Sequence, residues 1–299
     1  MKIAVFKDTA AQAGRPVMDA FIHSIRDENY VVCTNDQRPD ADVVVIWSVL
    51  LNMYGRKPIY NYYKNKSKIL VIEVGGLLRN QTWRMGIGGI NALANFANDD
   101  IDHVDDSRVV KLGLKLKPWN ELGKSGPIII CLQNTKSEAW TGGPIDTWLQ
   151  DTLEHVRSQS NRPVLVRHHP RHKSNIQKVI KNFHNVNEDI PHFVTGDIVD
   201  FDKRLETAYC VINYNSYPAI EAVMAGVAVM VHDSSLCREV GNPLNADINV
   251  LRHHDRQHWL NKLSYCEWFV EEIKQGIPWR RLKNKLHNDT KTKILYNQI

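Results

Sequence analysis

Residues 209–233 read YCVINYNSYPAIEAVMAGVAVMVHD, the pattern of a strand, a polar turn, a short helix and a second strand. Tyr209-Cys210-Val211-Ile212 and Ala228-Val229-Met230-Val231 are short apolar runs of the kind buried in parallel sheets. Between them, Asn215 and Ser216 are N-cap residue types, Pro218 suits a first helical turn and Gly226 suits a helix exit. A helix is therefore predicted over residues 217–225, with its unpaired N–H groups facing the carboxyl end of the sheet. Such a terminus attracts an anion, and Glu221, one turn further on, can reach a ribose hydroxyl of a nucleotide whose phosphates rest there. An ordinary capped helix of a βαβ unit accounts for the same residues, so this stretch by itself leaves both readings open.

Working outward, the predicted strand 163–167 runs into Arg167-His168-His169-Pro170-Arg171-His172-Lys173, six ionisable nitrogen side chains in seven positions. A diphosphate carries about two negative charges and favours forked Arg donors together with His and Lys, so the cluster is a candidate phosphate clamp; a solvated basic loop is the alternative. Thr195 and Gly196 close another strand and border a nucleotide base in the first reading, or form a plain turn in the second.

Asn215-Ser216, Glu221-Ala222 and Gly226 before a strand resemble the nucleotide-sugar signature of GT-B glycosyltransferases. That resemblance implies Ser216 beside a donor diphosphate, Glu221 beside its ribose, and a C-terminal helix that crosses back to the first domain. The 167–173 turn resembles the histidine-proline-arginine turn of polysaccharide-type and phage GT-B transferases, which implies Arg167, His169 and Arg171 near the donor phosphates. The expected fold is α/β, with two Rossmann-like domains facing a central cleft.

The remaining pattern fits that expectation. Residues 2–6, 30–33, 42–46 and 69–74 read as strands, Pro16 opens a helix with Val17, Phe21 and Ile25 on one stripe, and residues 54–63 form a connecting helix. A glycine-rich, irregular region at 75–106 breaks the rhythm. After a linker at 118–126 the alternation resumes, with a strand at 127–132, a helix marked by Ile145, Trp148, Leu149, Leu153 and Val156, a helix at 175–183 and a short strand at 192–195. Tyr265, Trp268, Phe269 and Ile273 read as an apolar helical face. The expected division is an acceptor-binding domain over 1–120 and a nucleotide-sugar-binding domain over 121–299, the latter carrying the crossing helix.

Composition sets wider limits. The 299 residues suffice for two cores, and 43% hydrophobic with 24% charged residues excludes a largely disordered chain. No apolar run reaches the roughly 18 residues needed to cross a bilayer, and the charged N-terminal segment lacks a signal-peptide core, so a soluble, cytoplasmic protein without a membrane partner is expected. The five cysteines are scattered and odd in number, which reads as buried thiols without zinc spacing. A net charge of +5 permits a polyanionic partner without requiring one.

For chemistry, Glu73 interrupts an apolar strand at its carboxyl end; burying it unpaired would cost several kcal/mol, so it is paired or open to solvent. The open case suits a base that deprotonates an acceptor hydroxyl, and Asp8, after the first strand, is the competing candidate. Arg79, Trp83, Arg84 and Asn91 form a candidate acceptor platform, with Trp83 packing its own loop as the alternative. Asp40-Ala41-Asp42 precedes its strand and reads as a solvated turn, so no metal is expected; the expected donor is a UDP-sugar held without one.

The segment Val43-Val44-Val45-Ile46-Trp47-Ser48, followed by Asn52-Met53-Tyr54-Gly55-Arg56-Lys57-Pro58 and Lys66-Ser67-Lys68-Ile69, resembles the N-terminal domain of phage β-glucosyltransferases that modify hydroxymethylated cytosine. The resemblance implies a hydroxymethylated pyrimidine in double-stranded DNA as acceptor. It departs at the expected acidic strand terminus, where this chain has Val74-Gly75 and Glu73 stands out of register. A surface polysaccharide, lipid or protein acceptor is the alternative, as is a non-catalytic DNA- or nucleotide-binding protein.

Overall fold

The structure is a computed structural model that describes residues 1–98, 106–120, 125–194, 197–198 and 200–288. In chain order the first elements are β1 (Lys2–Val5), α1 (Arg15–Ser24), β2 (Asn29–Val32), β3 (Val43–Trp47), α2 (Arg56–Tyr63), β4 (Lys68–Val74), β5 (Thr82–Ile87) and α3 (Ser107–Lys111). Next come β6 (Ile128–Cys131), α4 (Ile145–Gln159), β7 (Val164–Arg167), α5 (Gln177–Ile180), β8 (Val186–Asp189), the paired short strands β9 (Phe193–Val194) and β10 (Asp197–Ile198), and α6 (Phe201–Thr207). After these follow β11 (Cys210–Asn213), α7 (Pro218–Met224), β12 (Ala228–Val231), β13 (Asn242–Pro243), α8 (Gln257–Ser264), β14 (Glu267–Phe269), α9 (Val270–Lys274) and α10 (Ile277–Asn288).

The chain divides into two compact units. Met1–Leu114, Lys136–Ala139 and the described residues from Leu260 onward form one; Lys115–Thr135 and the described residues of Trp140–Trp259 form the other. The first is built on a six-stranded sheet of order β14-β5-β4-β3-β1-β2, in which β1 to β4 are parallel, β5 runs antiparallel to β4 and β14 runs antiparallel to β5. All five residues of β3 are buried, as its unbroken Val-Val-Val-Ile-Trp run requires of a central parallel strand. Val17, Met18, Phe21 and Ile25 carry the core face of α1 and its exit, and they share one core with Ile273, Trp279, Leu282 and Leu286 of α9 and α10. Phe21 and Trp279 meet edge to face at 5.7 Å. Each such side chain contributes about 1.5–3 kcal/mol by leaving water, which anchors the C-terminal helices on the first unit.

The second unit has an all-parallel six-stranded sheet of order β13-β12-β11-β6-β7-β8. Trp148, Leu149, Leu153 and Val156 bury the inner face of α4 against it. Both units are therefore Rossmann-like α/β layers.

Three expectations need correction. The region 75–106 is not uniformly irregular: it contains β5, whose alternation is hidden because Arg84 and Gly86 stand at buried positions. Residues 265–273 are not one helical face, because Glu267–Phe269 pairs with β5 as the sheet's edge strand and only then does α9 begin. The helix expected over 175–183 is confined to Gln177–Ile180, and the polar strand Val186–Asp189, unforeseen, forms an edge of the second unit's sheet.

Candidate functional site

Register aligns the strand ends of the second unit. Val231, Asn213, Cys131, Arg167 and Asp189 are successive partners across β12, β11, β6, β7 and β8, so the segments that follow these strands leave one level edge. The Arg167 and Asn213 positions stand two strands apart, about 10 Å at ordinary strand spacing. Burial pushes the thiol of Cys131, in the middle of this row, far above its ordinary range, so it is inert packing.

The turn after β11 is closed by Asn213 rather than by the two expected caps. Its Oδ1 accepts the Ser216 N–H at 2.8 Å, and its Nδ2 donates to Ser216 Oγ at 2.8 Å and to the Cys131 carbonyl at 3.2 Å. Neither Asn215 nor Ser216 caps α7; Tyr217 occupies the cap position without a side-chain cap bond. Asn213 is fully buried, so a rigid amide holds the turn from below. Ser216 Oγ accepts in this arrangement, and its own proton has no acceptor among the described residues. Glu221 lies half-buried in the first turn of α7.

Asn215 instead reaches sideways. Its N–H donates to Gln133 Oε1 at 3.3 Å and its Nδ2 donates to Ser234 Oγ at 2.7 Å. Ser234 in turn contacts His232 Nδ1 through its hydroxyl at 2.8 Å and donates its backbone N–H to the same nitrogen at 3.2 Å. An Nδ1 that accepts leaves the proton of a neutral imidazole on Nε2. Burial lowers the pKa of His232, opposed by Asp233, which favours that neutral form, and the ring stacks on Tyr214 at 4.3 Å and 11°. Tyr214 is held by Thr141, oxygen to oxygen 2.7 Å. His232, Ser234, Gln133 and Asn213 were not singled out from the sequence; their only signal is that each is among the first polar residues after an apolar strand run.

The basic cluster separates into two kinds of residue. Arg167 is buried and fully engaged, with Nη1 2.5 Å from Asp189 and Nη2 2.6 Å from Asp200, while Arg204 reaches the other Asp189 oxygen at 2.9 Å. It is a strut between β7, β8 and α6, with the donors expected for a phosphate engaged by carboxylates. His168 is likewise buried and 2.5 Å from Glu188. Beyond them the chain folds back through the His169–His172 bridge, with His169 half-buried and Arg171 exposed. The Arg171 guanidinium makes no hydrogen bond or ion pair among the described residues. Thr195 and Gly196 lie outside the described residues.

In the first unit Glu73 is half-buried at the end of β4; its Oε2 accepts the Ser48 hydroxyl at 2.5 Å and its Oε1 accepts the Val74 N–H at 2.9 Å. Asp8 is exposed in a one-turn helix after β1, with no side-chain partner among the described residues. The four residues of the expected acceptor platform do not form one surface. Arg84 is buried on β5, with Nη2 2.6 Å from Glu267 and Nη1 donating to the Ile90 carbonyl at 3.2 Å. Asn91 is buried and its Oδ1 accepts the Leu93 N–H. Trp83 packs against the core, and Arg79 alone is exposed.

The glycine pair after Glu73 serves Glu267. This wholly buried carboxylate accepts the N–H groups of Gly76 and Leu77 at 2.9 Å each, the Thr82 hydroxyl at 2.9 Å and the Arg84 guanidinium. A Cβ on Gly75 would stand 2.4 Å from Glu267 Oε2 and from the Thr82 carbonyl, so only glycine admits this approach.

Among the described residues no group of three or more His, Cys, Asp or Glu side chains is placed to hold a metal ion, and no helix is long and apolar enough to cross a membrane.

No protein-family model matches the chain, and no curated protein matches it. Solved structures do. The chain is similar to a Thermosulfurimonas dismutans KpsC β-Kdo 2,4-transferase, at TM-score 0.50 and 12% identity over 93% of this chain and 98% of that one. It is equally similar to the β-Kdo 2,7-transferase of the same organism, at TM-score 0.50 and 14% identity over 95% and 100%. The fold is GT-B. At these identities the likeness extends to architecture alone.

Proposed function

We propose that the protein is a glycosyltransferase that moves a sugar from a nucleotide-linked donor, held at the strand ends of the second unit, to an acceptor hydroxyl deprotonated by Glu73. The observation that carries this reading is the 213–216 turn. A buried amide holds a serine hydroxyl whose proton has no acceptor among the described residues, on the same strand-end edge as the oriented His232 and the exposed Arg171. The two Kdo transferases with the same fold support the class of reaction.

In an inverting displacement the acceptor oxygen bonds to the anomeric carbon as its proton passes to a Glu73 carboxylate oxygen, and the bond to the donor phosphate breaks. Negative charge then grows on the leaving phosphate. Arg171, the Ser216 hydroxyl and the Nε2–H of His232 are the groups suited to receive it, with His169 as a further donor from the turn that carries Arg171 and Glu221 on the ribose. Asp8, exposed and unbraced, is the weaker base. A UDP-sugar is the proposed donor, and its affinity is expected to survive chelation of divalent metals.

The favoured acceptor is a glycan hydroxyl. Burial of Arg84 and Asn91 removes two of the four residues on which a DNA-backbone platform was expected. The hydroxymethylated pyrimidine of DNA is the second reading, carried by one observation: Arg38 and Lys66 lie over the exposed Tyr62 ring at 5.7 and 3.7 Å, a basic and aromatic face of the kind that meets nucleic acid.

The test is transfer of radiolabelled sugar from a panel of nucleotide sugars to oligosaccharides and to duplexes containing cytosine, hydroxymethylcytosine or hydroxymethyluracil. Label on the oligosaccharide alone supports the favoured reading, and label only on hydroxymethylated duplexes moves the acceptor to DNA. The absence of both transfer and donor hydrolysis overturns the enzymatic reading in favour of a binding protein.

A further inference from the structure

Ser48 follows directly on β3 with φ +67°, in the left-handed region, yet it is not glycine and its side chain is buried. Its hydroxyl performs two tasks, accepting the Leu50 N–H at 3.1 Å and donating to Glu73 Oε2 at 2.5 Å. Its own N–H donates to the Ile72 carbonyl at 2.8 Å, which ties it to the strand that carries Glu73 one residue earlier.

The surroundings are braced from two further elements. Thr9, after β1, accepts the Trp47 N–H on its hydroxyl at 2.9 Å and the Arg56 Nε–H on its carbonyl at 2.8 Å. Arg56 is 2% exposed and donates Nη1 to the Leu50 carbonyl at 2.9 Å. Burial lowers the pKa of its guanidinium, and the Glu73 carboxylate acts in the opposite direction. An ionised carboxylate offers about four lone-pair sites, of which Ser48 and Val74 fill two. Among the described residues the remaining sites take no donor, so they can accept a proton while the group is held in one orientation.

We propose that Ser48 is a positioning residue, whose left-handed backbone aims its hydroxyl at Glu73 and fixes that carboxylate for proton abstraction. This rests on the reading of Glu73 as the base. A residue needed only to shape the turn would be improved by glycine, which adopts φ +67° freely. A positioning residue would not.

The experiment compares Ser48→Gly, Ser48→Ala, Glu73→Gln and Ser48→Gly/Glu73→Gln by melting temperature, donor KM and kcat, using the panel donor turned over fastest by the wild type, with water as acceptor if no other is found. Ser48→Gly should melt at or above the wild-type temperature and Ser48→Ala below it. Both should keep donor KM within about twofold and lose about 10- to 100-fold in kcat, the scale of a misplaced catalytic group. Glu73→Gln should lose about 10²- to 10⁴-fold. Adding Ser48→Gly to Glu73→Gln should then cost nothing more, because Ser48 acts through the carboxylate. Wild-type kcat in Ser48→Gly beside an inactive Glu73→Gln, or full additivity in the double variant, overturns the inference and leaves the base reading standing. Full activity in Glu73→Gln, or no turnover of any donor by the wild type, overturns both.

Discussion

Glu73 and Glu267 are partners of the same arginine: in the register of the first sheet, Arg84 on β5 stands opposite Glu73 on β4 and opposite Glu267 on β14. Glu267 is wholly buried and receives two backbone N–H groups, a hydroxyl and the guanidinium. Glu73 is half-buried and receives one hydroxyl and the N–H of its own neighbour. A carboxylate saturated by donors in a dry setting is a structural rivet; one with lone pairs left over and contact with solvent is equipped to accept a proton. Arg167 and Arg171 repeat the contrast with the sign reversed, one guanidinium locked between two carboxylates and the other exposed four residues later.

The largest effect expected from breaking these contrasts is at Glu267. Glu267→Ala leaves Arg84 buried without its carboxylate and two glycine-loop N–H groups without an acceptor, and should destabilise the first unit by about 3–5 kcal/mol in urea unfolding. A loss below about 1 kcal/mol would show that the rivet is dispensable.

Arg167→Ala should follow at about 3 kcal/mol, since Asp189 keeps Arg204 while Asp200 loses its ion pair. Arg171→Ala should change stability by less than about 0.5 kcal/mol while weakening donor binding about tenfold. Equal stability losses at the two arginines, measured by the same unfolding curves, would erase the distinction between strut and ligand.

A further effect is confined to acid. Glu272, against Arg108 and Lys111, is opposed by burial, yet hydrogen bonds from those two residues hold its pKa down at about 2 against an ordinary 4.5. Its contribution, on the order of 3 kcal/mol before allowance for denatured-state structure, is fully present above pH 4.5 and is lost as pH falls from there towards 2. Glu272→Gln should flatten the stability profile in that window and leave its shape near neutrality unchanged.

The α/β alternation was legible in the sequence because parallel strands such as Val43–Trp47 are unbroken apolar runs and α1 and α4 carry clear helical stripes. The partners of the charged residues were not. Arg84 finds Glu267 at a separation of 183 residues, and Arg167 finds Asp189 and Asp200 at 22 and 33, so each read as a free cation when only its neighbours in sequence were considered. At the 213–216 turn the motif was in plain view, but three polar residues of similar capping character stand within four positions, and only burial distinguishes Asn213 as the one that closes it. Ser48 gave no sequence signal, because a left-handed serine looks like any other.

If Glu73 removes the acceptor proton, measuring stability and sugar transfer together on Glu73→Gln separates its chemistry from its place in the fold. The expected result is a melting temperature within about 4 °C of the wild type, a shift worth less than about 1–2 kcal/mol, with unchanged donor affinity and a kcat lower by about 10²- to 10⁴-fold. A folded Glu73→Gln protein that transfers sugar at the wild-type rate would contradict it.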